Sequence, residues 1–363
     1  MGSLRILIIG AGAIGCFVGG KLASAGHDVT LVGRARTTAA VRARGLELHA
    51  ADGAVQTIRS VSAVASVREA FPAAYDLAVL AVKSYDTATA LDELAPVESM
   101  LPPAFLSLQN GVGNEEEIAA RFGAQRVLAG TITAPVEVRE PGVVQVTKPG
   151  FAIGLAEYRQ ESEEARSNSN ASLLTSLSSQ FAAAGLPTKV YEDAQAMKWS
   201  KLLMNMIGNA TSAILAEPPG VTFADRRIAD LEIDALREAL RVMAAANISP
   251  LNMEKYPLGR LGPLLRFGPR ALLRPALHRI VGGARGGKMP SLFLDLDAGK
   301  NGSEVGWYNG AVVRQGGEVG IETPVNRLLT ETVQRLAAEP HLRAEWRGNF
   351  ESLTSAAREV SGT

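Results

Sequence analysis

Short apolar runs alternate with helix-period stretches through the first half of the chain, and helical periodicity takes over in the second. Residues 5–9 (Arg-Ile-Leu-Ile-Ile) read as a strand, then comes a glycine turn and a helical pattern through residue 25. Residues 28–33 form a second strand, 45–54 and 56–61 short strands or loop, and 63–70 a helix. Residues 75–82 are continuously apolar, as expected of a parallel strand buried on both faces. A helix over 87–95, a strand over 104–108, a helix over 115–122 and a strand over 127–133 follow, then further strands over 137–154 around a Pro-Gly turn at 141–142. Residues 157–170, rich in Glu, Ser and Asn, read as a solvated loop, and a helix over 171–184 and an edge strand over 188–191 close this half. Beyond it the pattern is helical, over 194–216, 224–247, 291–298, 304–319 and 323–338, with a helix and a frayed end after residue 341. The expected organisation is an α/β domain over 1–192 with a doubly wound sheet, an all-helical domain over 193–340 and a tail over 341–363.

Composition fits this plan. At 363 residues, 47% hydrophobic and 20% charged, the chain is long enough for two domains with sizeable cores. Thirty-seven Lys and Arg balance 37 Asp and Glu, so nothing global argues for nucleic acid or an anionic membrane as partner. The single cysteine, Cys16, excludes an internal disulfide and reads as a small packing residue, and four His without ligand spacing offer no metal site. With no leader pattern and no apolar run of membrane length, the cytoplasm is the expected compartment.

The first glycine turn carries chemistry. Gly10-Ala-Gly12-Ala-Ile-Gly15 lies between a strand and a helix, the context in which this spacing binds a dinucleotide. Gly10 permits the tight turn, Gly12 lets backbone approach a pyrophosphate, and Gly15 lets helix and strand pack closely, so the sheet is read as Rossmann-type. The second strand ends at Arg34 with no acidic residue at its tip, a charge pattern that favours NADPH over NADH; an ordinary exposed loop cation is the competing account. Lys83 and Asn110 follow the carboxyl ends of two further strands, where ligands bind in open α/β sheets, although a loop lysine and a plain Asn-Gly turn would serve equally.

In the second half Lys201, Asn205 and Asn209 recur at i, i+4 and i+8, one polar stripe on a helix whose other faces carry Leu202, Leu203, Met206 and Ile207. Asn is a poor interior helix former, so a Lys with two amides suits the holding and protonation of an oxygen-rich small molecule better than a solvent face. Glu304 follows Ser303, a sufficient helix cap, and a carboxylate in a first turn needs only the helix dipole to explain it. Residues 256–288 hold six Arg and Lys288 with no acidic residue, and read as a helical insertion or lid with a solvated basic face.

Taken in order, the glycine turn, Lys83, Gln109-Asn110-Gly111, the Lys201/Asn205/Asn209 helix, and Pro290-Ser291 followed by Ser303-Glu304 and Asn309-Gly310 resemble the ketopantoate reductase (2-dehydropantoate 2-reductase) family over roughly residues 4–338. The resemblance implies NADPH-dependent reduction of the 2-oxo group of ketopantoate to pantoate, on the route to pantothenate and coenzyme A. It implies Lys201 as general acid, Glu304 as its acidic partner, Asn205, Asn209 and Ser291 as substrate contacts, and Arg34, Lys83 and Asn110 as cofactor contacts. The expected partner is a small 2-oxo acid, and a homodimer is compatible with this reading. Three departures bear on the substrate side: Pro219 where the family commonly has Asn, one residue inserted between Ser291 and Glu304, and Gly306 where Asp is common. They leave room for a sister NADPH-dependent reductase of a different 2-oxo acid, and the basic segment 256–288 leaves room for an acid larger or more acidic than ketopantoate. A dinucleotide-binding regulator without chemistry is a third reading, against which the joint retention of Lys201 and Glu304 speaks.

Overall fold

The computed structural model describes residues 2–71, 73–159, 170–253, 256–285, 287–300 and 302–362, so most of the expected polar loop over 157–170 lies outside the described residues. The chain forms two compact units, Met1–Lys198 and Trp199–Thr363.

In the first unit, β1 (Arg5–Ile9), β2 (Asp28–Val32), β5 (Val61–Val64), β6 (Leu77–Leu80), β7 (Phe105–Ser107), β8 (Val127–Thr133), β11 (Ala152–Glu157) and β12 (Thr188–Val190) make one sheet. Its order is β12-β11-β8-β7-β6-β1-β2-β5. The strands from β5 to β8 are parallel, and β11 turns antiparallel against β8 with β12 parallel to it. Side chains alternate between two cores: Ile6, Ile8, Leu77 and Val79 face one way, and Leu7, Ile9, Ala78 and Leu80 the other. That double burial is why these strands are apolar at every position past the exposed Arg5. A second sheet, of β3 (Leu46–His49), β4 (Val55–Ile58), β9 (Val136–Glu140) and β10 (Val143–Val146), has the order β4-β3-β10-β9. The helix Ala13–Ser24 lies between the two sheets. A Cβ on Gly19 would meet Ile8 and Leu31 of the large sheet, and one on Gly20 would meet Leu46, Leu48 and Ile58 of the small one. A helix covered on both sides is apolar all round, as this one is.

The expected helix over 63–70 begins late, its first two residues belonging to a strand. Residues 61–64 pair with β2 in the alternating burial of an edge strand, and only Val67–Ala70 is helical. Ser66 caps that turn, its Oγ accepting from the Glu69 N–H, while the Glu69 carboxylate accepts from the Ala65 N–H and the Ser66 hydroxyl. This reciprocal box starts the helix later than hydrophobic periodicity suggests.

The second unit is helical. The helix Arg226–Ala245, capped by Asp225, runs through it and packs against Leu258–Phe267, Arg270–Arg285, Asn309–Glu318, Pro324–Ala338 and the C-terminal Phe350–Ser361. The basic segment is two helices, as its composition suggests, and Arg260 and Arg279 are exposed. Its basic face is nevertheless not wholly solvated: Arg274 donates to both oxygens of Asp230 at 2.7 and 2.6 Å, and Arg270 to Asp234 at 2.7 Å. Acidic partners on a helix some 40 residues earlier, invisible within the segment itself, turn these two cations inward.

The expected helix over 194–216 is broken. It ends at Met206 and resumes as Ala210–Leu215, with Gly208 between them at φ +64. Glu232, 2% exposed, holds the break by accepting from the Gly208 N–H at 3.1 Å and the Thr211 hydroxyl at 2.6 Å. Glu232→Ala orphans both donors and is expected to lower stability by about 2–3 kcal/mol. An unchanged denaturation midpoint by circular dichroism would show that the carboxylate does not hold the break.

Candidate functional site

The first unit gathers its candidate residues along one sheet edge. In the spatial order β2-β1-β6-β7, the carboxyl ends carry Arg34, the glycine turn, Lys83 and Asn110. The chain runs from β1 outward to β2 and β5, then returns to β6 on the other side of β1, so this edge holds the topological switch point where open α/β sheets bind ligands.

The three motif glycines differ in surroundings. Gly10 has φ +112, and a Cβ there would lie 2.6 Å from the Val82 nitrogen; a Cβ on Gly15 would lie 2.0 Å from the Gly10 carbonyl oxygen. Around Gly12 a Cβ would meet nothing within 4 Å. Gly12 is also the N-cap of Ala13–Ser24 and has no side chain to occupy the first N–H groups of that helix. An open cradle with unpaired amides and a positive dipole end fits a pyrophosphate. Cys16, in the same helix, is buried and its thiol is pushed up to about 12 by desolvation, so it stays protonated and inert. Arg34 is exposed at the tip of β2, where it caps the helix Ala35–Arg44 through its carbonyl.

Lys83 and Asn110 sit on neighbouring turns joined by side chains. Ser84 Oγ donates to the Asn110 carbonyl at 2.8 Å, and Asn114 Nδ2 donates to the same carbonyl at 3.0 Å and to Ser84 Oγ at 3.2 Å. Gln109 Nε2 donates to Thr87 Oγ1 at 2.7 Å and to the Val82 carbonyl at 3.2 Å, and Thr87 donates to Asn114 Oδ1 at 3.0 Å. Beneath them Lys198 lies 2.8 Å from Glu115 and donates to the Gln109 carbonyl at 2.8 Å. Sequence reasoning singled out Lys83 and Asn110 and passed over Ser84, Thr87, Asn114, Glu115 and Lys198. Their only signal is adjacency to the motif, or a charge within an apolar helix.

The second unit links most of the remaining candidates. Lys201 is 8% exposed on the helix Ala194–Met206, one turn before the half-buried Asn205. Asn209 is not on that helix, as the single stripe required; it follows the break at Gly208 and is the N-cap of Ala210–Leu215. Its Nδ2 bonds back to the Asn205 carbonyl at 3.1 Å, and its Oδ1 accepts from the Leu292 N–H at 3.2 Å. Leu292 neighbours Ser291, whose side chain stands beside the Tyr308 phenol. Tyr308 donates to Glu304 Oε2 at 3.4 Å, and both residues are buried. Burial, then the adjacent Glu304 charge, holds the Tyr308 phenol well above its ordinary range. Tyr308 is the connecting residue that the sequence analysis missed, four positions after Glu304. Ser303 caps the turn that Glu304 opens, accepting from the Val305 N–H at 3.3 Å, so the capping account of this segment holds as well. A groove of about 540 Å³ lined by Arg227, Asp234, Arg241 and Arg358 lies elsewhere in this unit and includes none of the candidate residues.

A switch-point glycine cradle on a mainly parallel sheet, followed by a helical unit, defines a dinucleotide-binding α/β protein. The family model described as "Ketopantoate reductase PanE/ApbA" matches residues 6–159, and its companion, "Ketopantoate reductase PanE/ApbA C terminal", matches 193–337. The chain belongs to the ketopantoate reductase family. It is 31% identical to a 2-dehydropantoate 2-reductase of Pyrococcus horikoshii, over 91% of this chain and 97% of the relative. A PanE/ApbA family ketopantoate reductase of Ralstonia eutropha JMP134 superposes with a TM-score of 0.74 at 29% identity, over 93% of this chain and 99% of the other. D-mandelate dehydrogenase, in a ternary structure with NADH and anilino(oxo)acetate, shares the fold at 19% identity and a TM-score of 0.75, over 92% and 98%.

The glycine geometry separates binding from folding. Gly12→Ala is expected to change stability by less than about 0.5 kcal/mol while weakening dinucleotide binding about tenfold, read by NADPH fluorescence. Gly15→Ala is expected to cost about 1–3 kcal/mol of stability through the clash with the Gly10 carbonyl, read by thermal denaturation. Equal effects on binding and stability for both variants would refute the division.

Proposed function

We propose that the protein reduces the 2-oxo group of ketopantoate to the hydroxyl of pantoate with NADPH, the 2-dehydropantoate 2-reductase reaction. The observation that carries this reading is the joint presence of an open dinucleotide cradle at Gly12 and, in the second unit, the bonds that run from Asn205 through Asn209 to Leu292, next to Ser291, with the Tyr308–Glu304 pair and with Lys201 one turn before Asn205. Bound NADPH supplies the hydride. The glycine turn and helix N-terminus would hold the pyrophosphate, Lys83 and Asn110 would contact the dinucleotide from the neighbouring turns, and Arg34 would take the 2′-phosphate.

As the carbonyl carbon is reduced, negative charge builds on the carbonyl oxygen. The Lys201 ammonium stabilises that charge and transfers a proton to the oxygen, then regains one from solvent. The Asn205 amide and the Ser291 hydroxyl orient the substrate's oxygens. Tyr308 keeps its proton and donates a hydrogen bond to one oxygen of Glu304, orienting the side chain that would accept a substrate hydroxyl.

A second reading, reduction of a different 2-oxo acid, is supported by two departures on the substrate side. Pro219 offers no amide, and the position of Gly306 is uncrowded, a Cβ there meeting only Gln334 at 3.7 Å. Both readings are tested by NADPH oxidation with ketopantoate beside 2-oxoisovalerate and bulkier 2-oxo acids. Selective turnover of ketopantoate supports the first, and NADPH binding with turnover only of another acid supports the second. In whichever reaction is found, Lys201→Ala is expected to lower turnover by about 10²–10⁴-fold while changing NADPH affinity far less. Equal losses of both would count against Lys201 as the acid. Arg34→Ala is expected to weaken NADPH about tenfold or more and leave NADH nearly unchanged, and an unaltered preference would remove Arg34 from the phosphate site.

A further inference from the structure

Lys198 and Glu115 carry opposite charges in the interior of the first unit, with side chains 6% and 3% exposed and 2.8 Å apart. Their contact is an ion pair rather than an aligned hydrogen bond, and the hydrogen bonds of Lys198 go elsewhere: to the Gln109 carbonyl at 2.8 Å and the Gly130 carbonyl at 3.4 Å. A buried ion pair is a poor device for stability alone, since desolvation offsets most of the attraction and apolar replacements often do as well. What this pair does is local. The carbonyl that Lys198 holds is that of Gln109, immediately before Asn110, and Glu115 opens the helix Asn114–Phe122 just after the same turn. The turn contains Gly111 at φ +85 and Gly113 at φ +112, so its backbone is intrinsically permissive and its shape must be imposed from outside. Ser84 and Asn114 pin the Asn110 carbonyl; Lys198 pins the peptide before it, and Glu115 fixes the lysine.

We infer that the Lys198–Glu115 pair is a positioning device that sets the Gln109–Gly113 turn so that the Asn110 side chain meets the bound dinucleotide. The inference rests on the reading of Asn110 as a cofactor contact and assigns Lys198 and Glu115 a role beyond packing. Lys198 acts through Asn110 and does not itself touch the cofactor. Lys198 also belongs to the helix Ala194–Met206, which carries Lys201 one turn further on, so the residue that shapes the turn is part of the same helix as the proposed acid.

The test is a double-mutant cycle read by NADPH and NADH fluorescence titration of the full chain. Lys198→Met with Glu115→Leu removes both charges together and avoids stranding one of them in the interior. In the native background Asn110→Ala is expected to weaken binding about tenfold, and in the background without the pair by less than about twofold, because the turn no longer presents the amide. The paired replacement alone should weaken binding to a similar degree. Glu115→Gln, a milder change that keeps a polar partner for Lys198, should show a smaller coupling of the same sign should the double replacement fail to fold. Equal loss from Asn110→Ala in all backgrounds would overturn the inference, as would no loss in the native one. Because the readout is binding, absence of ketopantoate reduction by the native protein would refute the proposed reaction while leaving this cycle decisive.

Discussion

The approach of Gly15 to the Gly10 carbonyl is the constraint on which the first unit depends. At that distance no side chain fits between helix and turn, so Ala13–Ser24 is pressed against β1 and its axis is fixed at its first residues. Gly19 and Gly20 continue the same principle along the helix, one admitting the large sheet and the other the small sheet. A helix clamped on both sides cannot tilt its N-terminus away from the edge it serves. The open cradle at Gly12 is therefore bounded by a closely packed part of the unit, where pre-organised backbone donors are of use to a ligand.

Away from that clamp, the functional turns lack regular secondary structure to hold them, and buried side chains do so instead. Ser84, Thr87, Gln109 and Asn114 supply the bonds that two irregular turns cannot make for themselves. In the second unit the carboxylates of Glu232 and Glu238 act similarly. Glu232 stabilises the left-handed break at Gly208. Glu238 accepts from the Val325 and Asn326 N–H groups and the Asn326 side chain, satisfying the start of the helix Pro324–Ala338. Burial pushes the Glu238 carboxyl up, and the three donors that close the helix end work against that shift without cancelling it.

What the chain discloses as text follows the range of the interaction. The strands 5–9, 28–32 and 77–80 were legible because burial on both faces demands a run of almost only apolar residues, broken only by the exposed first positions Arg5 and Asp28 and by Thr30, and the cradle was legible because three glycines carry three separable steric demands. The family and the α/β-then-helical plan followed from those and from the order of later motifs. The strand over 61–64 was not legible: Val-Ser-Ala-Val is too short for its alternation to outweigh a following helical stretch, and its pairing with β2 is a tertiary fact. The break at Gly208 was hidden because a single glycine in a helical pattern is usually tolerated, and what decides the matter is a carboxylate 24 residues away. Arg270, Arg274, Lys198 and Tyr308 belong to the same category, each defined by a partner that local pattern cannot supply.

Asn209 shows how such a partner changes the meaning of a residue that periodicity singles out. Periodicity gives it the same task as Asn205, an amide directed at a ligand. Its Nδ2 instead reaches the Asn205 carbonyl and its Oδ1 takes the Leu292 N–H, so at most one N–H is left for anything else. Standing at the N-cap beyond Gly208, it ties the end of one helix to the first turn of Ser291–Asp297, and so sets the spacing between Asn205 and Ser291. In this arrangement the helix break is what allows the tie. An unbroken helix would carry Asn209 two turns along the stripe beyond Lys201, with its amide directed along the same face and not back to Asn205 and across to Leu292. The residues proposed to touch a substrate and the residue that spaces them apart then belong to the same motif, and only the direction of their hydrogen bonds tells them apart.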